Sequence, residues 1–371
     1  VTFKIPNLNM KLSIPDYILS IKPYTPGKPL EELEREYGIV DSIKLASNEN
    51  PLGPSPMAVQ AIKNAIGKLN RYPDGSGHDF IQKISEHLGV SPQNVVLGNG
   101  SDEIIGMLAC GLLQPGDEAI LPHPSFLMYE ITVRSAGATP VFVPLKSLSI
   151  DLKGIKERIT PRTRMVFLCN PNNPTGTVVL KKDFENFLKK IPPEVIVVVD
   201  EAYIEFVRDQ NCAKSIEYLD NVKPLVTLRT FSKVYGLAGL RIGYGIMPDE
   251  IANLLNRIRM PFNTNSLAQA GACAALEDTV FFEKVITLIH QGVDFLYDSL
   301  DRLGVKYFPT QTNFMLIDVC KDADEIYEKM LRQGVIIRSM KSYGYPNYIR
   351  INAGLHKENV RFIKALKKSL K

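Results

Sequence analysis

Several features are scarce in this chain, and each absence removes a class of function. Its five cysteines, Cys110, Cys169, Cys212, Cys273 and Cys320, are odd in number, widely separated and contain no C-x-x-C pair. That excludes a disulfide framework or a cysteine-based zinc site as the organising feature and fits a reducing compartment. The five histidines, His78, His87, His123, His290 and His356, show no metal-ligand spacing, so no metal is expected. No apolar run approaches the roughly 20 residues that a bilayer requires, and the opening residues carry no signal-peptide pattern. The expectation is a soluble, cytoplasmic protein with no membrane role. Charge of one sign is also scarce: the net charge is +4, spread as mixed Lys and Glu without a basic block, which gives no reason to expect nucleic acid as a partner. The basic run at residues 364–371 reads as the solvated end of a last helix, favoured by its dipole.

What is present is ordinary globular material. A chain of 371 residues with 45% apolar and 23% charged residues can form one large domain and a smaller companion. Residues 1–50 read as a proline-rich N-terminal arm with a short helix at 30–37 and a turn-rich end at 47–56. From 51 to 265, short β-branched runs at 94–97, 119–121, 165–169, 195–199 and 225–228 alternate with helical segments. A run such as V-I-V-V-V, apolar at every position, predicts a strand covered on both faces. The fold class expected is therefore α/β, a large domain with a mainly parallel central sheet flanked by helices. Residues 266–371 predict a long helical stretch from 266 to 303, then strands at 313–319, 335–338 and 348–352 and helices at 324–333 and 357–370. They form a smaller α+β domain completed by the arm.

In such sheets ligands bind beyond the carboxyl ends of the strands, and those positions carry chemistry here. Run 94–97 is followed by G-N-G-S-D-E, a turn opening a helix whose free N–H groups suit a phosphate. Run 165–169 leads into N-P-N-N-P-T-G, whose X-Pro units set a tight turn that aims Asn173 at the sheet end. Run 195–199 ends in D-E-A-Y. Asp200 after five apolar residues reads either as a helix N-cap or as a buried carboxylate that needs a cationic partner. Between 227 and 244 the sequence T-L-R-T-F-S-K-V-Y-G-L-A-G-L-R-I-G-Y surrounds Lys233 with Thr230, Ser232 and Arg241. Partial burial and a neighbouring cation favour the neutral amine that attacks an aldehyde, and the hydroxyls with the guanidinium suit a phosphate. An amine and a phosphate grip side by side are what pyridoxal phosphate requires.

The set N-P-N-N-P-T-G, V-V-D-E-A-Y, T-F-S-K-V-Y-G-L-A-G-L-R and R-I-N-A-G resembles the fold-type I pyridoxal-phosphate aminotransferases over essentially the whole chain. Within them, Y-T-P-G-K-P-L-E-E-L, A-S-N-E-N-P-L-G-P-S and R-Y-P-D-G look like the histidinol-phosphate aminotransferase family. The resemblance implies pyridoxal 5'-phosphate as cofactor, Lys233 as the lysine bonded to it, and Asp200 at the pyridine nitrogen. Asn173 and Tyr203 would face the ring hydroxyl. Gly100, Ser101, Asp102, Thr230, Ser232 and Arg241 would hold the phosphate, and Phe126 or Tyr129 would stack on the ring. It further implies Arg350 at an α-carboxylate, with Arg338 and Tyr24 at the substrate phosphate. Asn50 would lie in a segment closing over substrate, and Tyr72 would be donated across a homodimer with shared active sites. The expected reaction is ping-pong amino transfer between histidinol phosphate and 2-oxoglutarate in histidine biosynthesis. Aromatic amino acid transamination and threonine-phosphate decarboxylation are the related alternatives.

Overall fold

The computed structural model describes residues 13–23, 27–219 and 224–371. Its strands, in chain order, are β1 (Ile43–Lys44), β2 (Val95–Gly98), β3 (Glu118–His123), β4 (Thr139–Pro144), β5 (Thr163–Cys169), β6 (Ile196–Asp200), β7 (Leu225–Thr230), β8 (Gly243–Ile246), β9 (Lys306–Phe308), β10 (Phe314–Asp318), β11 (Val335–Ile336), β12 (Arg338–Ser339) and β13 (Tyr348–Asn352). β2 to β8 build one sheet in the order β2-β8-β7-β6-β5-β3-β4. Only β8 runs against the rest, so six strands place their carboxyl ends along one edge.

The apolar run in β6 forms a strand because both of its faces find cover. Val198 joins a cluster with Phe167, Leu228 and Tyr129, whereas Val197 and Val199 join another with Val166, Phe184 and Phe187 on the opposite face. Each buried valine contributes about 1.5–3 kcal/mol over its exposed state. The two-residue period of a strand then decides where the following carboxylate goes: Asp200 shares the face of Val198 and arrives beside Tyr129.

A second, antiparallel sheet of order β12-β13-β10-β9 forms the core of the C-terminal part. The arm returns to it as β1, which pairs parallel with β11, Ile43 opposite Val335. The arm helix Leu30–Tyr37 buries Leu33 against Ala46, Leu331 and Ile336.

The structure departs from sequence expectation in three places. The stretch 266–303 is two helices, Ser266–Glu277 and Thr279–Leu303, because Asp278 leaves helical geometry to cap the second by accepting from the N–H of Phe281. Residues 335–338 are not one strand but two short ones in different sheets. β4 and β8 lacked a strand signal, β4 being bounded by prolines and β8 reading G-Y-G-I.

Candidate active site

A cavity of about 250 Å³ lies at the shared carboxyl edge, lined by Phe126, Asn173, Asp200, Tyr203, Lys233 and Arg241 among others. The carboxyl end of β6 supplies Asp200, 4% exposed. Its Oδ2 accepts from the Tyr129 hydroxyl at 2.7 Å and its Oδ1 from the Ala202 N–H at 3.1 Å. Burial raises its pKa to about 6 against the pull of the Tyr129 hydrogen bond. No ion pair between Asp200 and a cation occurs among the described residues; the neighbouring Glu201 is the one paired, with Arg229 at 2.8 Å. A buried carboxylate held by neutral donors suits a protonated pyridine nitrogen.

Lys233 follows β7 and is half-buried. Its Nζ donates to the carbonyl of Ser47 at 3.2 Å and sits 5.7 Å from the centre of the Tyr203 ring. Burial first, and the Arg350 charge second, lower its pKa to about 8, with Asp102 and Glu49 opposing. An amine so tuned is neutral in a far larger fraction near physiological pH than an ordinary lysine, and the neutral form can attack an aldehyde.

At the other end of the cavity the helix Ser101–Leu112 begins after Gly100, whose φ of 78° is left-handed. A Cβ on Gly100 would lie 2.5 Å from Arg241 Nη2, and one on Gly243 would lie 2.5 Å from the N–H nitrogen of Ser101, so both positions keep the cradle open only as glycine. Arg241 Nη1 donates to Ser232 Oγ at 3.3 Å, Thr230 Oγ1 donates to the same oxygen at 3.0 Å, and Arg241 Nη2 meets Asp102 at 3.4 Å. Hydroxyls, a guanidinium and a helix N-terminus converge there, a donor set that fits a phosphate monoester. The residues therefore fit pyridoxal phosphate at three separate places: amine, carboxylate and anion cradle.

The two candidate aromatic rings lie in different places. Phe126 is half-buried on the cavity wall, whereas Tyr129 is buried against Phe167, with ring centres 4.9 Å apart, and reaches the site only through Asp200. Arg350, in β13, donates from Nη1 to Asn173 Oδ1 and from Nη2 to the Ala46 carbonyl at 2.9 Å. Its Nε is buried without a partner among the described residues.

Other expected site residues lie apart from this cavity. Arg338 lines a second cavity of about 620 Å³ with Ser20, Pro23, His123, Leu127 and Glu130. Phe126 and Leu127 are consecutive, so one segment walls both cavities. Asn50 spends its side chain on the backbone, donating to the Val234 carbonyl at 2.8 Å and accepting from the Leu52 N–H at 2.9 Å, which ties the arm to the segment after Lys233. Tyr72 is 82% exposed and stacks on Phe262. Tyr24 lies outside the described residues.

Sequence reasoning passed over the residues just before Asn50. Ser47 accepts from Lys233, the Asn48 side chain reaches Tyr203 at 2.9 Å, and Glu49 lines the cavity. The signal was the unbroken polar string S-N-E-N. Tyr129 gave no signal beyond its aromatic ring, because its partner Asp200 is 71 residues away.

Among the described residues no helix is long and apolar enough to cross a membrane, and no His, Cys, Asp and Glu cluster could hold a metal. The family model for aminotransferase class I and II matches residues 40–366. The histidinol-phosphate aminotransferase of Desulfotalea psychrophila is 48% identical over 365 residues, 98% of this chain and 96% of that protein. That of Moorella thermoacetica is 46% identical, covering 95% and 92%. The crystal structure of histidinol-phosphate aminotransferase from Sinorhizobium meliloti in complex with pyridoxal-5'-phosphate superposes with a TM-score of 0.89 at 29% identity, covering 98% of each chain. The chain belongs to the aminotransferase class I and II family and, within it, to the histidinol-phosphate aminotransferases.

Proposed function

We propose that the protein transfers an amino group between L-histidinol phosphate and 2-oxoglutarate, giving 3-(imidazol-4-yl)-2-oxopropyl phosphate and L-glutamate, in histidine biosynthesis. It is a pyridoxal-phosphate-dependent transaminase. The observation that carries the reading is one cavity holding an amine of lowered pKa, a buried carboxylate with no cationic partner among the described residues and an anion cradle.

Bound pyridoxal phosphate supplies an aldehyde that joins to amines and a ring that accepts electrons from the adjoining carbon. Lys233 would be its covalent anchor and the proton carrier: with a pKa of about 8, Nζ accepts a proton and returns it at comparable cost. Asp200 would keep the pyridine nitrogen protonated. Asn173 and Tyr203 would meet the ring hydroxyl and Phe126 the ring face. Gly100, Ser101, Asp102, Thr230, Ser232 and Arg241 would hold the phosphate. Arg350 would grip the α-carboxylate of glutamate as a planar donor, its partnerless Nε supporting that role. Arg338 and Tyr24 would take the phosphate of the other substrate, and Asn50 would hold the closing segment. On this reading residues 1–50 are the arm, 51–265 the cofactor-binding domain, and 266–371 the interdomain helices and small domain.

The same reading makes the enzyme a cytoplasmic homodimer with shared active sites, Tyr72 reaching the partner's cofactor phosphate. The exposed Tyr72 and Phe262 stack, with exposed Met260 and Ile258 close to Phe262 in sequence, supports a covered face.

Mixing holoenzyme with glutamate and following the visible absorbance of the cofactor tests the reaction class. Adding histidinol phosphate, phenylalanine or threonine phosphate tests the substrate. Conversion by glutamate with preference for histidinol phosphate is expected. Preference for phenylalanine, or carbon dioxide release from threonine phosphate, overturns the substrate reading.

A further inference from the structure

Asn48 is 2% exposed and has a left-handed φ of 57°, a conformation asparagine tolerates better than most residues. Its backbone is gripped from the small domain on both sides. Its N–H donates to Asn352 Oδ1 at 3.1 Å, and its carbonyl accepts from Asn313 Nδ2 at 3.1 Å. Its side chain projects the other way, into the large domain, where Nδ2 donates to the Tyr203 hydroxyl at 2.9 Å.

A phenol carries one proton and two lone pairs. With one lone pair taken by Asn48, the Tyr203 proton is left to be donated, and no acceptor for it stands among the described residues. Tyr203 lines the cavity, so the proton is available there. Tyr203 packs edge-on against Phe314, ring centres 5.0 Å apart, which restricts where its hydroxyl can go.

We propose that Asn48 is a positioning residue that fixes the Tyr203 hydroxyl as a hydrogen-bond donor toward the cofactor, and so links the seating of the small domain to the electronic state of the bound ring. The inference deepens the proposed reading and rests on Tyr203 lying at the ring hydroxyl. A donor there favours the deprotonated ring oxygen. Without the Asn48 bond, Tyr203 can rotate its proton away and that preference weakens. The charged and titratable groups facing Tyr203 are Arg350, Asp200, Cys169 and Lys233. Asn48→Ala leaves all of them in place; Asn48→Asp adds a carboxylate among them, and the double variant separates the direct effect of that charge from the part relayed through Tyr203.

The test is the pH midpoint of the visible absorbance change of the bound cofactor in holoenzyme, measured for wild type, Asn48→Asp, Asn48→Ala, Tyr203→Phe and the Asn48→Asp/Tyr203→Phe double variant. Asn48→Asp keeps shape and backbone tolerance but accepts instead of donating, drawing the Tyr203 proton out of the cavity. Its midpoint is expected to move upward by about one pH unit, in the direction of Tyr203→Phe, and the double variant is expected to match Tyr203→Phe alone. Asn48→Ala is expected to shift in the same direction by less. A residue that merely anchored the arm would lower the melting temperature and leave the midpoint alone. Should Tyr203→Phe move the midpoint while both Asn48 variants do not, the role of Asn48 is wrong and Tyr203 keeps its place. An unmoved midpoint in Tyr203→Phe overturns both.

Discussion

Arg338 stands directly opposite Arg350 in the antiparallel pairing of β12 with β13. Directly opposed residues share a face with Cβ atoms about 5 Å apart, and like charges so placed repel. The arrangement suits a site that receives anions. Glutamate presents a carboxylate on its α-carbon; histidinol phosphate presents in the same direction a phosphate on a one-carbon spacer. On the proposed reading the two neighbouring arginines would divide the two anions between them.

This relationship separates the two kinetically. Arg350→Gln is expected to raise the KM for glutamate, and Arg338→Gln the KM for histidinol phosphate, each by about 10–100-fold, the worth of a charge-assisted hydrogen bond. Steady-state kinetics with each substrate varied in turn checks this. Arg338→Gln affecting both substrates alike would remove the division of labour.

The raised pKa of Asp200 ties stability to pH. Well below pH 4 its carboxyl is protonated in both folded and unfolded protein and costs nothing. Above about 6 it is ionised in both, and burying the charge costs the cofactor-free protein on the order of 3 kcal/mol. Stability contributed by this group is thus lost as pH rises from about 4 to 6. Asp200→Asn should raise the melting temperature of cofactor-free protein at pH 8, with the gain shrinking toward pH 4. The same substitution should cut kcat by about 10²–10³-fold. Thermal unfolding across pH, paired with turnover, measures both.

Lys233 sets a second pH dependence. Since its neutral amine is the reactive form, the rate at which cofactor-free enzyme captures pyridoxal phosphate covalently should climb with pH around a midpoint near 8. Stopped-flow absorbance gives that profile. Lys233→Ala should abolish capture, and borohydride-labelled peptide should map to position 233 in wild type alone.

Beside Asp200 lies a buried pair with no assigned chemical task. Glu201 Oε2 accepts from Arg229 at 2.8 Å, and its Oε1 accepts from the Ser215 hydroxyl at 2.7 Å. Arg229→Met leaves an unpaired buried carboxylate and should cost about 3–5 kcal/mol in urea unfolding. Replacing the pair by Glu201→Leu together with Arg229→Met should recover much of that loss.

The sequence made much of the large sheet legible because its strands are continuous β-branched runs whose next residues are chemically distinctive. Asp200, Lys233 and Arg241 could be picked out for that reason. Contacts such as Tyr129 to Asp200 and Asn48 to Tyr203 could not, since they join residues 71 and 155 positions apart through strand register and domain packing. β8 escaped for a local reason: Gly243 and Gly245 lack side chains because Ser101 and Ile104 press on them, so tight packing erased the apolar signal.

The roof over the cavity also has a history in the order of synthesis. Ala46 and Asn48 are fastened by Arg350, Asn352 and Asn313, which are made much later. A nascent chain that has emerged only through β8 possesses the lysine, the aspartate and the phosphate cradle but cannot yet cover them. On the proposed reading the cradle and its cover come from distant parts of the chain, and a truncation that removes β13 while sparing Asp200, Lys233 and Arg241 should leave a protein that releases pyridoxal phosphate faster than the full chain.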